Sequence, residues 1–367
     1  MSTLLSYIST ALSRTTPFQH GCKPVLRFVV EAPSNTFIHV THASDHILSS
    51  GCPSEISTIS SVSEDSGLQS KPSHVQNVEL RQIVHGFLSR SDYRPPNTPN
   101  DAILRAKISA EIDRWSLDID PTMISKMVET SCWYAETAFG HTSPEHRYYI
   151  ALYTACMLYG EDVGNQDPTA VSQFARRLVR GEPQAHPIFD HLAGLLKDAH
   201  LYWTDVGADA IITGTIDALS ATFIEFATTD MTIAPSATRY PWYLRSRAGG
   251  GPQYTHFMFM RSWRETAETY LQILPDIEHW TLGTNLSFYK EEIAGETNNY
   301  VHLRAAAEQI PPLEVLRQLT EEVLDSARKI EKIIGQDKEL ATLWQRYLQS
   351  YLEFSVRTPR YRLANWA

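Results

Sequence analysis

Ser287, Lys290 and Glu291 stand close together in the run Asn285-Leu286-Ser287-Phe288-Tyr289-Lys290-Glu291-Glu292-Ile293. On a helix, Ser287 and Glu291 are one turn apart and share a face, and Lys290 points to nearly the same side. A hydroxyl and a carboxylate are hard oxygen ligands of the kind Mg2+ takes, and an ammonium beside them suits a phosphate. The neighbouring residues are apolar and aromatic, so burying such a stripe would be costly without a ligand to satisfy it. Taken alone, the stripe also reads as the solvated Lys-Glu-Glu face of an ordinary amphipathic helix.

Three other segments could work with it. Glu161-Asp162 closes an apolar stretch ending Met157-Leu158-Tyr159-Gly160, and two adjacent acids there could hold Mg2+ at a cavity mouth. An isolated acid pair at a helix end is otherwise simply solvated. Arg245, in Tyr243-Leu244-Arg245, offers the rigid donor fork that fits phosphate oxygens, with Arg247 as a fallback. The Gly249-Gly250-Gly251 triplet that follows would break a helix and free backbone groups. It is not a dinucleotide fingerprint, because no strand precedes it and the glycine spacing is wrong. The chain also carries Arg360-Tyr361-Arg362-Leu363, which on its own is a basic tail.

These segments need rigid elements to converge, and from about Val75 the text is helical nearly to the end. Asn100 reads as the N-cap of a helix over 101–115, Asp120-Pro121 opens the next, and Ser143-Pro144-Glu145 opens the apolar helix that ends in the acid pair. Further helices are expected over 169–180, 188–205, 208–228, 255–274, 276–292, 312–334 and 338–357, with Gly or Pro in the loops between them. No segment after residue 75 alternates with the period of a strand. This is an all-α chain of about ten helices. Residues 25–30 could form a short strand or a helical turn, and about 42–73 is a Ser-, Gly- and Pro-rich loop. The formal net charge of -10 argues against nucleic acid as a partner. It also means that an anionic substrate would need local cations. Cys22, Cys52, Cys132 and Cys156 have no metal-site spacing, and the last two lie in apolar helical text. The longest apolar run, 148–159, is too short to span a bilayer and reads as a buried helix.

Taken together, the SFYKE, YLR, RYRL and acidic-pair segments resemble the motifs of class I terpene cyclases of the trichodiene-synthase type. Gly295-Glu296-Thr297-Asn298-Asn299-Tyr300 is similar to a G-E-T-x-N-Y run of fungal members, and the resemblance covers about residues 75–363. It implies a single class I helical bundle around a central cavity at 76–367, behind an irregular N-terminal extension at 1–75. It implies Mg2+, with three ions, held by Asp162 and Glu161 on one side and by Ser287, Glu291 and Asn285 on the other. Arg245, Lys290, Arg360 and Tyr361 would neutralise the diphosphate. Farnesyl diphosphate would then be ionised and cyclised to a sesquiterpene hydrocarbon plus diphosphate, with α-humulene one candidate product. A fungal source follows from the same resemblance; a cytoplasmic setting and a homodimer as one assembly are expected beside it, and charge and the lack of a long apolar run argue against nucleic-acid and membrane partners. Trp133, Phe139, Tyr153, Phe257 and Trp280 are candidate cavity liners, since π faces stabilise a carbocation away from water.

The chain departs from the family pattern in two places. The acid-rich motif usually begins with two Asp and carries a third acid. Here Glu161 replaces an Asp, Asn165 is a weaker donor, and Asp167 lies just beyond. The second motif, N-D-x-x-S-F-Y-K-E, places its Asn where this chain has Gly283. Asn285 is about 200° from Ser287 around a regular helix and would face away. Asn285 could be swung back by a helix that begins or bulges before Ser287, Thr284 could lend its hydroxyl, or water could fill the place. These departures keep two rivals in view: a paralogue that has lost metal binding and acts as a binding protein, and a prenyl-chain synthase. The latter normally carries two full D-D-x-x-D motifs, which this chain lacks.

Overall fold

The computed structural model describes residues 74–98, 100–162, 164, 166, 168–264 and 266–363. The N-terminal extension with its element at 25–30, Cys22, Cys52, Asn165 and Asp167 lie outside the described residues. Everything below concerns the unit Ser66–Ala367.

Apart from an isolated bridge between Trp203 and Met260, the described residues are helices, turns and loops. In chain order the α-helices are α1 (His74–Arg90), α2 (Ala102–Arg114), α3 (Pro121–Thr137), α4 (Pro144–Asp162), α5 (Pro168–Arg180), α6 (Pro187–Tyr202) and α7 (Asp205–Ala227). They continue as α8 (Tyr240–Ala248), α9 (Gly251–His256), α10 (Leu274–Gly283), α11 (Phe288–Ala294), α12 (Tyr300–Glu308), α13 (Pro312–Ile334) and α14 (Lys338–Arg357). Their starts are chemically marked. Asp101, not Asn100, caps α2 by accepting from Leu104 N at 2.9 Å. Asp120 caps α3 by accepting from Thr122 N, with Pro121 in the first turn. Asp337 caps α14 and also takes both Nη groups of Arg264 at 2.8 and 2.9 Å, which holds its carboxyl down at about 2.

The core is built around α4. Every residue from Tyr149 to Gly160 is buried, as expected of a helix surrounded on all sides, and it packs on α3, α6 and α7. Cys132 and Cys156 are fully buried in this core, where desolvation pushes the Cys132 thiol up to about 12 and Cys156 higher still. Helix α7 is long and apolar enough, by length and composition, to cross a membrane, and sequence reading gave no such segment. In the fold its small residues, among them Gly207, Ala208, Gly214 and Ala218, are buried and the helix packs against α5, α8 and α9.

Two expected long helices are not continuous. The helix expected over 255–274 ends at His256, and the chain then turns, passing through short 3-10 helices at Ala267–Thr269 and Leu271–Ile273. Tertiary bonds take over from helical ones there. Met258 O faces His141 Nε2 at 3.2 Å, and Arg261 N donates to Tyr202 O at 2.9 Å. The helix expected over 276–292 breaks between Gly283 and Phe288. Thr284 turns its hydroxyl back onto Trp280 O at 2.6 Å and leaves the helix at ψ 81°, and Ser287 starts the next one. A Cβ at Gly283 would stand 2.6 Å from Val323 Cγ2 and 3.5 Å from Leu319 Cδ1. Position 283 therefore faces α13, and the absent side chain is what lets the two helices close.

Two outcomes follow from this packing. Gly283→Asn, which restores the family residue at the family spacing, should lower stability by about 1–3 kcal/mol through overpacking against Val323. A thermal melt equal to that of the parent would show that α13 gives way freely. The second concerns His256, which is 3% exposed and whose Nδ1 has no partner among the described residues. Burial holds its pKa down at about 4, against an ordinary 6.5, and that of His141 likewise. The unfolded chain thus takes up protons that the folded one refuses. The stability is complete above pH 6.5 and is lost progressively as pH falls through about 4, by a few kcal/mol for each residue. His256→Gln should flatten this acid limb in a series of melts from pH 7 to pH 4; an unchanged slope would contradict it.

Candidate active site

The break between α10 and α11 decides where the second motif points. On a continuous helix Asn285 and Ser287 would diverge. In the broken chain the Ser287 hydroxyl donates to Asn285 Oδ1 at 3.2 Å. Asn285 is buried, and its Nδ2 has no partner among the described residues. Glu291 follows one turn into α11, its N donating to Ser287 O at 3.2 Å. Lys290 lies beside it, 3.9 Å from Glu296. The rearrangement is the first of the three envisaged from the sequence. The Thr284 hydroxyl is already committed to Trp280 O.

Asn285 and Glu291 line a cavity of about 150 Å3 together with Arg245, Glu225, Asn298 and Tyr300. Arg245 reaches it from α8, and its Nε donates to Leu282 O at 3.0 Å, one of the carbonyls left free where α10 ends. The glycine triplet makes this anchor possible. A Cβ at Gly249 would lie 2.3 Å from Leu282 Cδ2, and one at Gly251 2.7 Å from Leu282 Cδ1. Their role is thus close helix approach. Arg247 is turned away: it donates to Tyr243 O at 3.1 Å and stacks on the Tyr243 ring at 4.0 Å.

Glu225 was not anticipated. It sits near the end of α7, where burial pushes its carboxyl up to about 7, opposed by Arg245 and reinforced by Glu161 and Glu291. Its only sequence signal was a lone acid in the apolar text Ala221-Thr222-Phe223-Ile224-Glu225-Phe226.

Across the site, α4 ends in Glu161 and Asp162. Arg360 forms a bidentate pair with Asp162 at 2.8 and 2.9 Å and approaches Glu161 at 3.7 Å. The 3-10 turn Pro359–Tyr361 that carries Arg360 also touches α11, so the two motif ends and the C-terminal turn meet. Glu161 is half exposed at its side chain, yet it is ringed by protein, and desolvation raises its pKa. The charge of Asp162 adds to that rise, while Arg360, Arg245 and Lys290 oppose it. Those interactions put Asp162, Arg360, Arg245 and Lys290 within electrostatic reach of Glu161. Tyr361 is half-buried, its ring edge-on to Phe354 at 5.9 Å, and burial raises its pKa. Among the described residues, no group of three or more His, Cys, Asp or Glu side chains is placed to hold a metal by itself.

The aromatic expectations divide. Trp133 lines a cavity of about 670 Å3 that also reaches Met127, Leu158, Asp162 and Arg360. Phe139, Tyr153, Phe257 and Trp280 are packed solidly into the core at 0% exposure, which leaves no face open to a ligand. The half-buried Tyr254 and Tyr351 pack against Tyr134 at 5.1 and 6.3 Å, an aromatic cluster within the bundle.

With this geometry in view, comparison with known proteins is informative. The sequence model of the family Trichodiene synthase (TRI5) matches residues 105–366. Alpha-cuprenene synthase COP6 of Coprinopsis cinerea is 25% identical over 291 residues, 78% of this chain and 89% of that one. Longiborneol synthase CLM1 of Gibberella zeae is 28% identical over 239 residues, 63% of this chain and 70% of that one. Among solved structures, Linalool/Nerolidol synthase from Streptomyces clavuligerus in complex with 2-fluorogeranyl diphosphate superposes with a TM-score of 0.53. It does so at 13% identity, over 75% of this chain and 96% of that one, which shows the class I terpene synthase fold. The match over 105–366 settles the family: this chain belongs to the trichodiene synthase family of terpene synthases.

Proposed function

We propose that the chain is a metal-dependent cyclase that ionises farnesyl diphosphate and closes it to a cyclic sesquiterpene hydrocarbon. The observation that carries this reading is the contact between Asn285 Oδ1 and Ser287 Oγ at 3.2 Å, with Glu291 one turn away and Arg245 across the same cavity. Adjacent oxygens of an octahedral Mg2+ lie about 3 Å apart, since each sits 2.0–2.1 Å from the ion. The pair is therefore spaced as two ligands of one cation. Its oxygens are hard donors, and Glu291 brings the charge that such a site requires. Asn285, Ser287 and Glu291 would hold one ion, and Asp162, with Glu161 beside it, would help to hold the others.

Once bound, the metal would act as a Lewis acid toward the diphosphate oxygens and so weaken the bond to the allylic carbon. The rest falls to the chain's own groups. Arg245 is already oriented by Leu282 O and presents its remaining donors to the cavity. Arg360 exchanges Asp162 for diphosphate oxygens, which leaves Asp162 free to take up its ligand role. Lys290 and Tyr361 add a cation and a hydroxyl on the same side. Together they answer the general repulsion of a -10 chain for a polyanion. The prenyl chain would lie against Trp133 and Leu158 in the larger cavity, where the Trp133 π face stabilises the cation and exclusion of water protects it. Proton loss gives the hydrocarbon, with α-humulene as one candidate. The family relationship and the diphosphate analogue bound by the bacterial structural neighbour support the substrate class.

Purified protein with farnesyl diphosphate and Mg2+ should release a cyclic sesquiterpene detectable by gas chromatography with mass spectrometry, and a chelator should abolish it. Geranyl diphosphate serves as the comparison substrate. Elongated prenyl diphosphates, or no product from either substrate, would overturn the proposal. Glu291→Gln and Asn285→Ala should each cost turnover on the order of 10–100-fold or more with helical content unchanged. Near-normal activity in Asn285→Ala would remove Asn285 from the metal site.

A further inference from the structure

Asn285 has two sides. One faces the polar cavity with Arg245 and Glu291. The other faces a small apolar cavity, of about 20 Å3, enclosed by Ile83, Val84 and Phe87 of α1, the break residues Gly283 to Leu286, and α13. The break is a single layer of backbone between the site and α1. Its own hydrogen bonds are sparse: Thr284 N returns to Trp280 O, and Phe288 N reaches Asn285 O at 3.2 Å. No side chain stands at Gly283 to fix it from within. What backs it is the apolar face of α1, where Val84 and Phe87 are each 5% exposed. Helix α1 packs on α13, with exposed ion pairs from Glu79 to Arg317 and from Arg90 to Glu321 along the edge of the contact. This helix precedes residue 105, where the family match begins.

We infer that α1, chiefly through Phe87, is a positioning element for the metal motif: it presses the break into the form in which Asn285 meets Ser287. The inference rests on the reading of Asn285 and Ser287 as ligands and extends it to a helix outside the matched segment. A continuous helix would hold its ligands by its own hydrogen bonds. A broken one transfers that task to whatever packs behind it, and supporting contacts of this kind commonly change metal affinity by about 10–100-fold. Removing the Phe87 ring would enlarge a cavity directly beneath Asn285, and the unsupported backbone would relax into it.

The test uses the full chain and Mn2+ with inorganic pyrophosphate, followed by electron paramagnetic resonance or calorimetry, so that no turnover is needed. Phe87→Ala should weaken Mn2+ binding by about 10-fold, and Phe87→Leu should recover most of it. Leu343→Ala, a truncation on α14 at a buried position away from the break, should lower the melting temperature comparably yet leave Mn2+ affinity unchanged. Should Phe87→Ala fail to fold, Ile83→Ala at the half-buried edge of the same face must shift affinity in the same direction. Equal Mn2+ affinity in the parent, Phe87→Ala and Leu343→Ala overturns the role of α1 while leaving the metal site standing. A parent that binds no Mn2+ in the presence of pyrophosphate overturns the metal reading itself, and this inference with it.

Discussion

The break between α10 and α11 is the constraint on which the site depends. With no Cβ at Gly283, α10 settles against Val323 of α13, and the chain leaves its helical path at Thr284. That departure frees Leu282 O, which orients Arg245, and brings Asn285 Oδ1 onto the Ser287 hydroxyl. The glycines at 249 and 251 belong to the same arrangement, since Leu282 fits only where they lack side chains. The break thus sits where α8, α9 and α13 all pack closely against the end of α10.

Electrostatics sets the second condition. The site concentrates carboxylates that repel one another, and burial drives Glu225 up to about 7 and raises Glu161 as well. Arg360 offsets part of this through its bidentate pair with Asp162. The pair is half-buried on both sides, so opening it without a replacement charge is costly. A cation for Asp162 and a phosphate for Arg360 supply both replacements at once. On the function proposed above, the arrangement would favour binding the two ligands together over binding either alone.

Much of this was legible in the sequence, for identifiable reasons. The helices announce themselves through apolar periodicity, and caps such as Asp120-Pro121 depend on local chemistry alone. Ser287, Lys290 and Glu291 were readable because their spacing is within one turn. The features that were missed are tertiary. No local rule ends a helix at His256; Met258 and Arg261 are held by His141 and Tyr202, both more than fifty residues away. Asp101 displaces Asn100 as a cap by one residue, within the ordinary uncertainty of helix ends. Glu225 gave no motif, and its importance comes only from Arg245 and Glu291 converging on it. The aromatic liners could not be oriented without the fold. Phe139 and Trp280 are as aromatic as Trp133, but they are sealed in the core.

The difference between a continuous and a broken motif helix is also a difference in where rigidity comes from. Ligands one turn apart on an unbroken helix inherit the stiffness of its hydrogen-bond ladder. Here only Ser287 and Glu291 retain that relationship, through Glu291 N to Ser287 O. Asn285 lies upstream of the helix start and must take its position from packing, from α13 on one flank and α1 behind. Packing is less directional than a ladder but close to incompressible. It can therefore hold a ligand as firmly, provided that the supporting helix is itself docked. This makes a helix distant in sequence, packed on α13, part of the same mechanical unit as the site it never enters.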